Sequence, residues 1–340
     1  MKIKLLFFSL IFILLCLCGC ASKENTSVPS HSKDFFAMDT HMRITVYGEN
    51  KSQLPELAEK EIKRLEALLS AHTKTSELAQ LKAKRSLKLS AETASLVEHS
   101  LKLNKAMQGA FDITLAPISK LWGFPNGPYH VPTDAELKAS LKATGMQKIV
   151  FDKTSRTCTL TDDQVSLDLG GIAKGYAAEK AAELLTKQGC QSAVLNLGGN
   201  VKVLGTKPGG ALWHIGVQHP DNKDGYLGVL ALRDNSVVTS GDYERYFEAD
   251  NVRYHHILNP QTGLPANNSL RSVTIVCPDS TQADSLSTAL FVLGPRKAID
   301  YWQQHKKEFN LILYTTAGKV LISEELAPSF TTDLPCTILK

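Results

Sequence analysis

The amino-acid sequence predicts an α+β fold, with helices packed around mixed, largely antiparallel sheets. Two observations support this prediction. Segments with helical periodicity and clear caps fill much of residues 54–142, whereas short alternating segments dominate from Lys148 onward. Helices are thus mixed with hairpin-like strand pairs, which is typical of the α+β class. Residues 34–340 contain no repeat of fixed period and no linker, so we expect a single domain there.

The N-terminal half supplies most of the predicted helices. Residues 35–47 alternate as one or two strands, with Met38-Asp39-Thr40 between them. Residues 54–69 have helical periodicity, and a second short helix follows from Ser76. Ser90 is a candidate N-cap for a helix over 91–108, and Thr133 with Glu136 has the spacing of a capping box for a helix over 134–142.

The C-terminal half supplies most of the predicted strands. A helix over 172–188, closed by Gly189, interrupts them, and helices over 281–293 and 296–305 follow. A final hairpin near 309–322 turns at Ala317-Gly318. The other predicted strands cover residues 148–151, 157–161, 165–169, 192–195, 201–204, 213–218, 228–232, 236–239 and 270–276.

Length and net charge exclude one class of protein, the nucleic-acid-binding proteins, and little else. The 340 residues suffice for a large core, and the formal net charge is +4. This charge falls to +2 (4 − 2) if Lys2 and Lys4 are removed with a signal segment. The basic residues are scattered along the chain, so no nucleic-acid partner is expected.

Residues 1–19 have the pattern of a lipoprotein signal peptide. Lys2 and Lys4 precede an apolar run over 5–17 that is short for a membrane span. The run ends in Leu17-Cys18-Gly19-Cys20, which resembles a lipobox, so we expect lipidation at Cys20. Residues 20–33 then form a polar, lipidated tether, and the domain begins at residue 34. This predicts a cell-envelope protein that lipid holds at the inner membrane, on its extracytoplasmic side. A plain secreted protein is the alternative.

Asp168-Leu169-Gly170-Gly171-Ile172-Ala173-Lys174-Gly175 is the first motif that indicates chemistry. A strand that passes through two glycines into a helix directs free amides and a positive dipole end at one spot. This favours phosphate or pyrophosphate binding, with charge from Lys174 and a polar contact from Asp168. The spacing fits neither a P-loop nor G-x-G-x-x-G. A tight turn whose glycines serve only packing remains an equal alternative.

Asp284 and Thr288 form the second candidate. They are four residues apart, so a helix places them on one face, one turn apart. A carboxylate and a hydroxyl in this arrangement can hold Mg²⁺, with backbone carbonyls and waters completing the shell. The alternative is an exposed Asp beside a Thr that bonds to its own helix.

Three further segments each admit a functional and a structural interpretation. His256 lies where a strand enters the turn Asn259-Pro260-Gln261-Thr262-Gly263, and could act as an acid or base; a surface histidine pair is the commoner meaning. The turn at 196–200 could approach a ligand or merely join two strands. Aromatic residues at 111 and 122–124 could frame a planar ring, or belong to the core.

The cysteines at 158, 190, 277 and 336 have no metal-ligand spacing, although pairing among them stays open.

Together these segments resemble the ApbE family of FAD:protein FMN transferases, and the resemblance covers nearly all of residues 34–330. It rests on five motifs in the same order, at 111–114 with 122–124, 168–175, 196–200, 256–265 and 283–294. The family attaches FMN to a threonine of a partner protein through a phosphoester. Two positions depart from the family pattern. Asp39 stands where glycine is usual, and His72 stands where an aromatic residue often packs near the isoalloxazine.

The resemblance implies roles for individual residues. Asp284 and Thr288 would bind Mg²⁺ through their side chains, and Gly171 and Ser287 through backbone carbonyls. His256 is our candidate general base, and Asp284 is a catalytic residue through the metal. The residues that would contact FAD are Met38, Ala110, Phe111, Asp112, Asp168, Lys174 and Ile257.

The resulting functional prediction is Mg²⁺-dependent transfer of FMN from FAD to a threonine of an acceptor, with release of AMP. The acceptors implied are flavinylated proteins of membrane redox complexes. Hydrolysis of FAD to FMN and AMP on the same site is one alternative. A flavin- or solute-binding lipoprotein without catalysis is another, but a mere binder has no evident need of a metal at the pyrophosphate.

Overall fold

The computed structural model describes residues 28–340. The predicted signal peptide, Cys20 and the tether up to residue 27 lie outside these residues. The described part contains eight α-helices: α1 Leu54–Leu69, α2 Glu77–Lys84, α3 Ala91–Ala106, α4 Ala116–Trp122, α5 Asp134–Leu141, α6 Ala173–Lys187, α7 Ser280–Leu293 and α8 Pro295–Gln304. None of these helices is long and apolar enough to cross a bilayer.

A nine-stranded sheet forms the centre of the described part, in the order β1-β2-β6-β7-β10-β13-β14-β15-β17. All its neighbours pair antiparallel except β15 and β17. Its strands are β1 Ser30–Ala37, β2 Thr40–Tyr47, β6 Ala193–Leu197, β7 Asn200–Leu204, β10 Ser236–Gly241, β13 Leu270–Cys277, β14 Asn310–Thr315, β15 Val320–Ser323 and β17 Cys336–Leu339. The predicted α+β class is therefore confirmed.

Three small sheets surround the large one, in the orders β3-β5-β4, β16-β9-β8 and β11-β12. Their strands are β3 Ser86–Lys88, β4 Ile149–Asp152, β5 Thr157–Leu160, β8 Trp213–His219, β9 Asn222–Leu232, β11 Tyr246–Ala249, β12 Val252–His255 and β16 Phe330–Thr331.

The two faces of the large sheet bury separate cores. One face packs against α1, α6 and α7, and the other against the β16-β9-β8 sheet. The adjacent residues Val238 and Val237 on β10 belong to these two cores respectively, because successive side chains of a strand point to opposite faces. This arrangement presses α7 onto β10 and thereby fixes one wall of the site.

Local sequence signals set the helix boundaries. The side chains of Ser76, Ser90 and Thr133 accept hydrogen bonds from the first turns of α2, α3 and α5, and the predicted capping box with Glu136 is present. Gly189, with φ +72°, follows the end of α6. The predicted helices over 54–69, 172–188, 281–293 and 296–305 are confirmed within one residue at each end.

One expectation was wrong at element level. Residues 165–169 form no strand. Val165, Leu167 and Leu169 are buried, as the alternation implies, but the segment pairs with no other strand. The Asp168 amide donates a 2.7 Å hydrogen bond to the Ile113 carbonyl. Residues 30–33, at the end of the predicted tether, belong to β1 and pair with β2. These residues are polar because an edge strand leaves most of its side chains in water.

The cysteines of the described part are structural. Cys158, Cys190 and Cys277 are buried, Cys336 is half-buried, and all four are free thiols. Burial raises the pKa of Cys277 to about 12, so this thiol stays protonated.

Candidate active site

A cavity of about 680 Å³ opens where several elements meet beside β10, a size that suits a small-molecule ligand. The β1–β2 turn and the C-terminal end of α1 form one side. The N-terminal end of α6, the β6–β7 turn and α7 form the other.

This cavity brings together eleven of the twelve predicted site residues in the described part. Ser287 is the exception. The eleven are Met38, Ala110, Phe111, Asp112, Asp168, Gly171, Lys174, His256, Ile257, Asp284 and Thr288.

Asp284 is fixed by an unusually close approach of α6 and α7. Its Oδ2 accepts a 2.7 Å hydrogen bond from the Gly175 amide, and its side chain is buried. A Cβ on Gly175 would lie 2.1 Å from the Ser280 carbonyl oxygen and 2.5 Å from the Asp284 Cβ. Burial raises the pKa of Asp284, while the charge of Lys174 and the Gly175 amide oppose this rise. The alternative of an exposed Asp is therefore excluded.

The oxygen atoms around Asp284 suit a hard cation. Thr288 lies one turn further along α7, and a Cβ built on Gly171 would be 3.4 Å from its Oγ1. Within residues 28–340 no cluster of three His, Cys, Asp or Glu side chains could hold a metal. A single carboxylate with neutral oxygens is nevertheless typical of Mg²⁺ sites that substrate phosphates complete.

Ser287, which is expected to bind the metal through its backbone carbonyl, does not line the cavity. Ser287 lies inside α7, where a carbonyl accepts the intrahelical bond from the amide four residues later. Its hydroxyl contacts the Asp284 carbonyl oxygen and the Ser240 Oγ, both at 2.8 Å. A carbonyl oxygen has two lone pairs, so the intrahelical bond leaves one of them free, and Ser287 stays a predicted metal ligand.

The amides at the start of α6 are less available than the sequence indicated. Four of the six amides from Gly170 to Gly175 donate inside the protein, to Asp168 Oδ1 (Gly170), the Leu169 carbonyl (Ile172 and Ala173) and Asp284 Oδ2 (Gly175). The expected nest of free amides is thus largely filled. The side chain of Lys174 is left as the main positive group that this segment offers to an anion.

The segment 110–114 supplies the next part of the wall. Asp112 Oδ1 accepts from the Thr114 amide at 2.7 Å and from its hydroxyl at 2.6 Å, which closes a local turn. Burial raises the pKa of Asp112, and the Thr114 bonds oppose this. Asn104 of α3 donates to the Phe111 carbonyl at 2.7 Å, so the segment is tied to a helix.

The turn between β1 and β2 needs two left-handed residues, with φ +49° at Met38 and +58° at Asp39. Aspartate tolerates this conformation better than most residues, which explains how it can replace the usual glycine. The Met38 amide donates to Glu66 Oε1 at 2.6 Å, and Arg245 donates to the Asp39 carbonyl at 3.0 Å. The turn is therefore held from both sides of the cavity.

His256 is half-buried in the cavity wall and is not one of a surface pair, because His255 is buried. Its Nδ1 is 3.2 Å from the Arg245 carbonyl oxygen, which can only accept, so Nδ1 carries the proton and Nε2 keeps a lone pair. Burial lowers the pKa of His256 to about 3, and the charges of Arg245 and Lys174 add to this. The imidazole is therefore neutral at physiological pH.

Aromatic residues divide between the wall and the core. Trp122 is fully buried and donates to the Gly263 carbonyl at 2.8 Å, so it belongs to the core. Phe124 lines the cavity and meets His256 edge-on, with ring centroids 6.3 Å apart.

Sequence reasoning missed the end of β10 and the segment that follows it. Ser240, Tyr243, Glu244 and Arg245 all line the cavity. Desolvation by the cavity wall raises the pKa of Glu244 to about 7, while the charges of Lys174 and Arg245 oppose the rise. A charged run directly after a buried strand was the available signal, at Ser240-Gly241-Asp242-Tyr243-Glu244-Arg245.

Comparison with known proteins identifies the family. A model of the ApbE family matches residues 38–313. The chain belongs to the ApbE family. A relative from Treponema pallidum, named FAD:protein FMN transferase, is 36% identical over 309 residues, covering 84% of this chain and 85% of the relative. One of the same name from Haemophilus influenzae is 31% identical over 330 residues, covering 93% and 95%.

Solved ApbE structures have the same fold. The crystal structure of the ApbE protein from Thermotoga maritima matches with a TM-score of 0.81 at 34% identity, over 87% of this chain and 98% of that chain. The flavin transferase ApbE from Vibrio cholerae gives a TM-score of 0.79 at 26% identity, over 88% and 100%. The predicted ApbE resemblance is therefore confirmed.

Proposed function

We propose that this protein transfers FMN from FAD to a threonine hydroxyl of an acceptor protein. The observation that carries the proposal is one cavity that combines the positions attributed to FAD with the buried Asp284 and the half-buried Thr288. Family membership supports the reaction class, since the relatives compared are named FAD:protein FMN transferases.

The reaction breaks a phosphoanhydride bond of FAD and forms a phosphoester bond to the acceptor. The acceptor oxygen forms a bond to the FMN phosphorus, and the bond from that phosphorus to the AMP oxygen breaks. The electron pair of the broken bond leaves with AMP, and the hydroxyl proton passes to a base. Positioning and charge neutralisation dominate the catalysis of such steps.

The residues of the cavity divide these tasks. Lys174 places a positive charge beside Asp284 and can neutralise part of the pyrophosphate. Asp284 and Thr288 would hold Mg²⁺ through side-chain oxygens, with the Gly171 carbonyl beside them. When bound, Mg²⁺ supplies positive charge against the developing negative charge of the phosphates.

His256 is the proposed base. Its Nε2 lone pair can accept the hydroxyl proton, because Nδ1 is committed to the Arg245 carbonyl. A pKa of about 3 makes it a weak base in the free protein. An anionic pyrophosphate beside Lys174 would offset the nearby positive charges and raise the pKa of His256.

We also propose that the protein works in the cell envelope. The motif that ends in Cys20 supports a lipid anchor at the inner membrane, on the extracytoplasmic side. Acceptors would then be flavinylated proteins of membrane redox complexes.

One experiment tests the reaction. The protein is incubated with FAD and Mg²⁺, with and without a candidate acceptor, and AMP release and acceptor mass are measured. Transfer requires both AMP and an acceptor heavier by FMN. AMP and FMN without a modified acceptor would indicate hydrolysis, and FAD binding without AMP would indicate a non-catalytic binder.

A further inference from the structure

Three hydroxyl groups beside Asp284 form a chain of hydrogen bonds. The Ser287 Oγ is 2.8 Å from the Asp284 carbonyl oxygen and 2.8 Å from the Ser240 Oγ. The Ser240 Oγ is in turn 3.3 Å from the Thr288 Oγ1. Ser287 and Thr288 lie on α7 and Ser240 on β10, so the chain crosses from helix to strand at the cavity wall.

Proton counting fixes the direction of this chain, because each hydroxyl has one proton. The Asp284 carbonyl can only accept, so the Ser287 proton is directed at it. Ser287 must then accept from Ser240. Since the Ser240 proton is used, Ser240 must accept from Thr288. The Thr288 Oγ1 therefore presents only lone pairs to a ligand in the cavity.

We propose that Ser240 is a positioning residue that prepares Thr288 to bind a cation. This inference rests on the proposed metal site, of which Thr288 is part. An oxygen that presents only lone pairs suits Mg²⁺, whereas a phosphate oxygen needs a donor. The chain thus assigns Thr288 to the metal and not to direct contact with the pyrophosphate.

The sheet gives Ser240 a fixed position for this role. Ser240 lies opposite Val273 in the β10–β13 ladder, and β10 is an interior strand of the nine-stranded sheet. A hydroxyl on such a strand moves less than one on a loop, so it can hold the Thr288 proton away from the cavity.

Mn²⁺ binding tests the inference without turnover. Free Mn²⁺ is followed by electron paramagnetic resonance as it is added to the protein, alone and with ADP. Ser240→Ala should raise the Mn²⁺ dissociation constant roughly 10- to 100-fold, as loss of partners of metal ligands commonly does. Ser240→Thr keeps the hydroxyl and should bind Mn²⁺ as the wild type does.

Two reference variants separate the possible outcomes. Ser236→Ala removes a different β10–α7 hydroxyl pair, Ser236 with Ser280 at 2.5 Å, and should leave Mn²⁺ affinity unchanged. Asp284→Asn tests the metal site itself. If Asp284→Asn does not weaken Mn²⁺ binding, the proposed site is wrong. If it does, and Ser240→Ala binds like the wild type or no worse than Ser236→Ala, only the role of Ser240 is refuted.

Discussion

The Gly175 amide donates a hydrogen bond to the Asp284 carboxylate across 2.7 Å. This bond joins the backbone of α6 to a side chain of α7 and exists only because Gly175 has no Cβ in the narrow gap between them. The position of the carboxylate therefore depends on a residue that has no side chain of its own to contribute.

Gly175→Ala should destabilise the protein and abolish transfer. The added methyl meets the Ser280 carbonyl and the Asp284 Cβ, so α6 and α7 must separate. Overpacking of this kind costs about 1–3 kcal/mol. Thermal unfolding and AMP release measure the two effects. Gly109→Ala is the control: its Cβ faces open space, although φ is +89° there, so it should lose some stability but not activity. Equal activity losses in both variants would argue against the packing account.

Asp284→Asn should abolish FMN transfer while FAD still binds. The asparagine Oδ1 can accept the Gly175 amide, so the fold is kept and only the negative charge is lost. Asp284→Ala also leaves that amide unpaired and should be less stable by about 1–3 kcal/mol. AMP release, FAD fluorescence and thermal unfolding distinguish the two losses. An Asp284→Asn variant that is fully active at saturating FAD would contradict a metal at this position.

Local signals in the sequence were sufficient for the helices and for most of the site. Ser76, Ser90 and Thr133 cap helices because their side chains bond to amides only a few residues away. The spacing of Asp284 and Thr288 likewise depends on one helix alone. Motif resemblance placed the remaining site residues, and it could do so without any knowledge of their contacts.

The errors arise where distant segments decide the structure. Alternation in 165–169 correctly reported burial, but a strand also needs a partner, which the sequence does not display. Whether the Gly175 amide of α6 is free depends on Asp284, which lies 109 positions later in the chain. Ser240 was not predicted because its role depends on two hydroxyl groups of α7, which lie 47 and 48 positions away in the chain.

The buried His255 should make the protein acid-sensitive. Burial lowers its pKa to about 4, from an ordinary value near 6.5. The unfolded chain therefore takes up this proton first, so stability is full above pH 6.5 and falls towards pH 4, by roughly 3 kcal/mol from this group.

A substitution isolates the contribution of His255 to the loss of stability at acid pH. His255→Gln should flatten the rise of unfolding free energy between pH 4 and 6.5, measured by urea titration at several pH values. His214→Gln changes an exposed histidine and serves as the control. An unchanged slope in His255→Gln would show that another group causes the acid sensitivity.

Cys20→Ser should release the protein from membranes. A serine cannot form the thioether that carries the lipid, whereas the catalytic domain is untouched. Membrane and soluble fractions of cells that express the full chain measure the change. Cys18→Ser is the matched control and should stay anchored, because Leu17 makes Cys18 a poor lipidation residue. Tight membrane association of Cys20→Ser would contradict a lipid anchor.

His256→Ala should slow FMN transfer while FAD binding is retained. A positioned base typically contributes a factor of roughly 10² to 10⁴. Asp284 is a poor competitor for this role, since a carboxylate on Mg²⁺ accepts protons weakly. A loose, metaphosphate-like transition state would need little base at all, and in that case the factor shrinks towards one.

Single-turnover transfer across pH decides between these accounts. The wild-type rate should fall on the acid side as Nε2 is protonated, and this limb should disappear in the variant. His255→Gln, which changes the neighbouring histidine behind the cavity wall, should keep both rate and limb. If His256→Ala matches the wild type within a few-fold and keeps its pH profile, the imidazole serves only to hold the Arg245 segment in place.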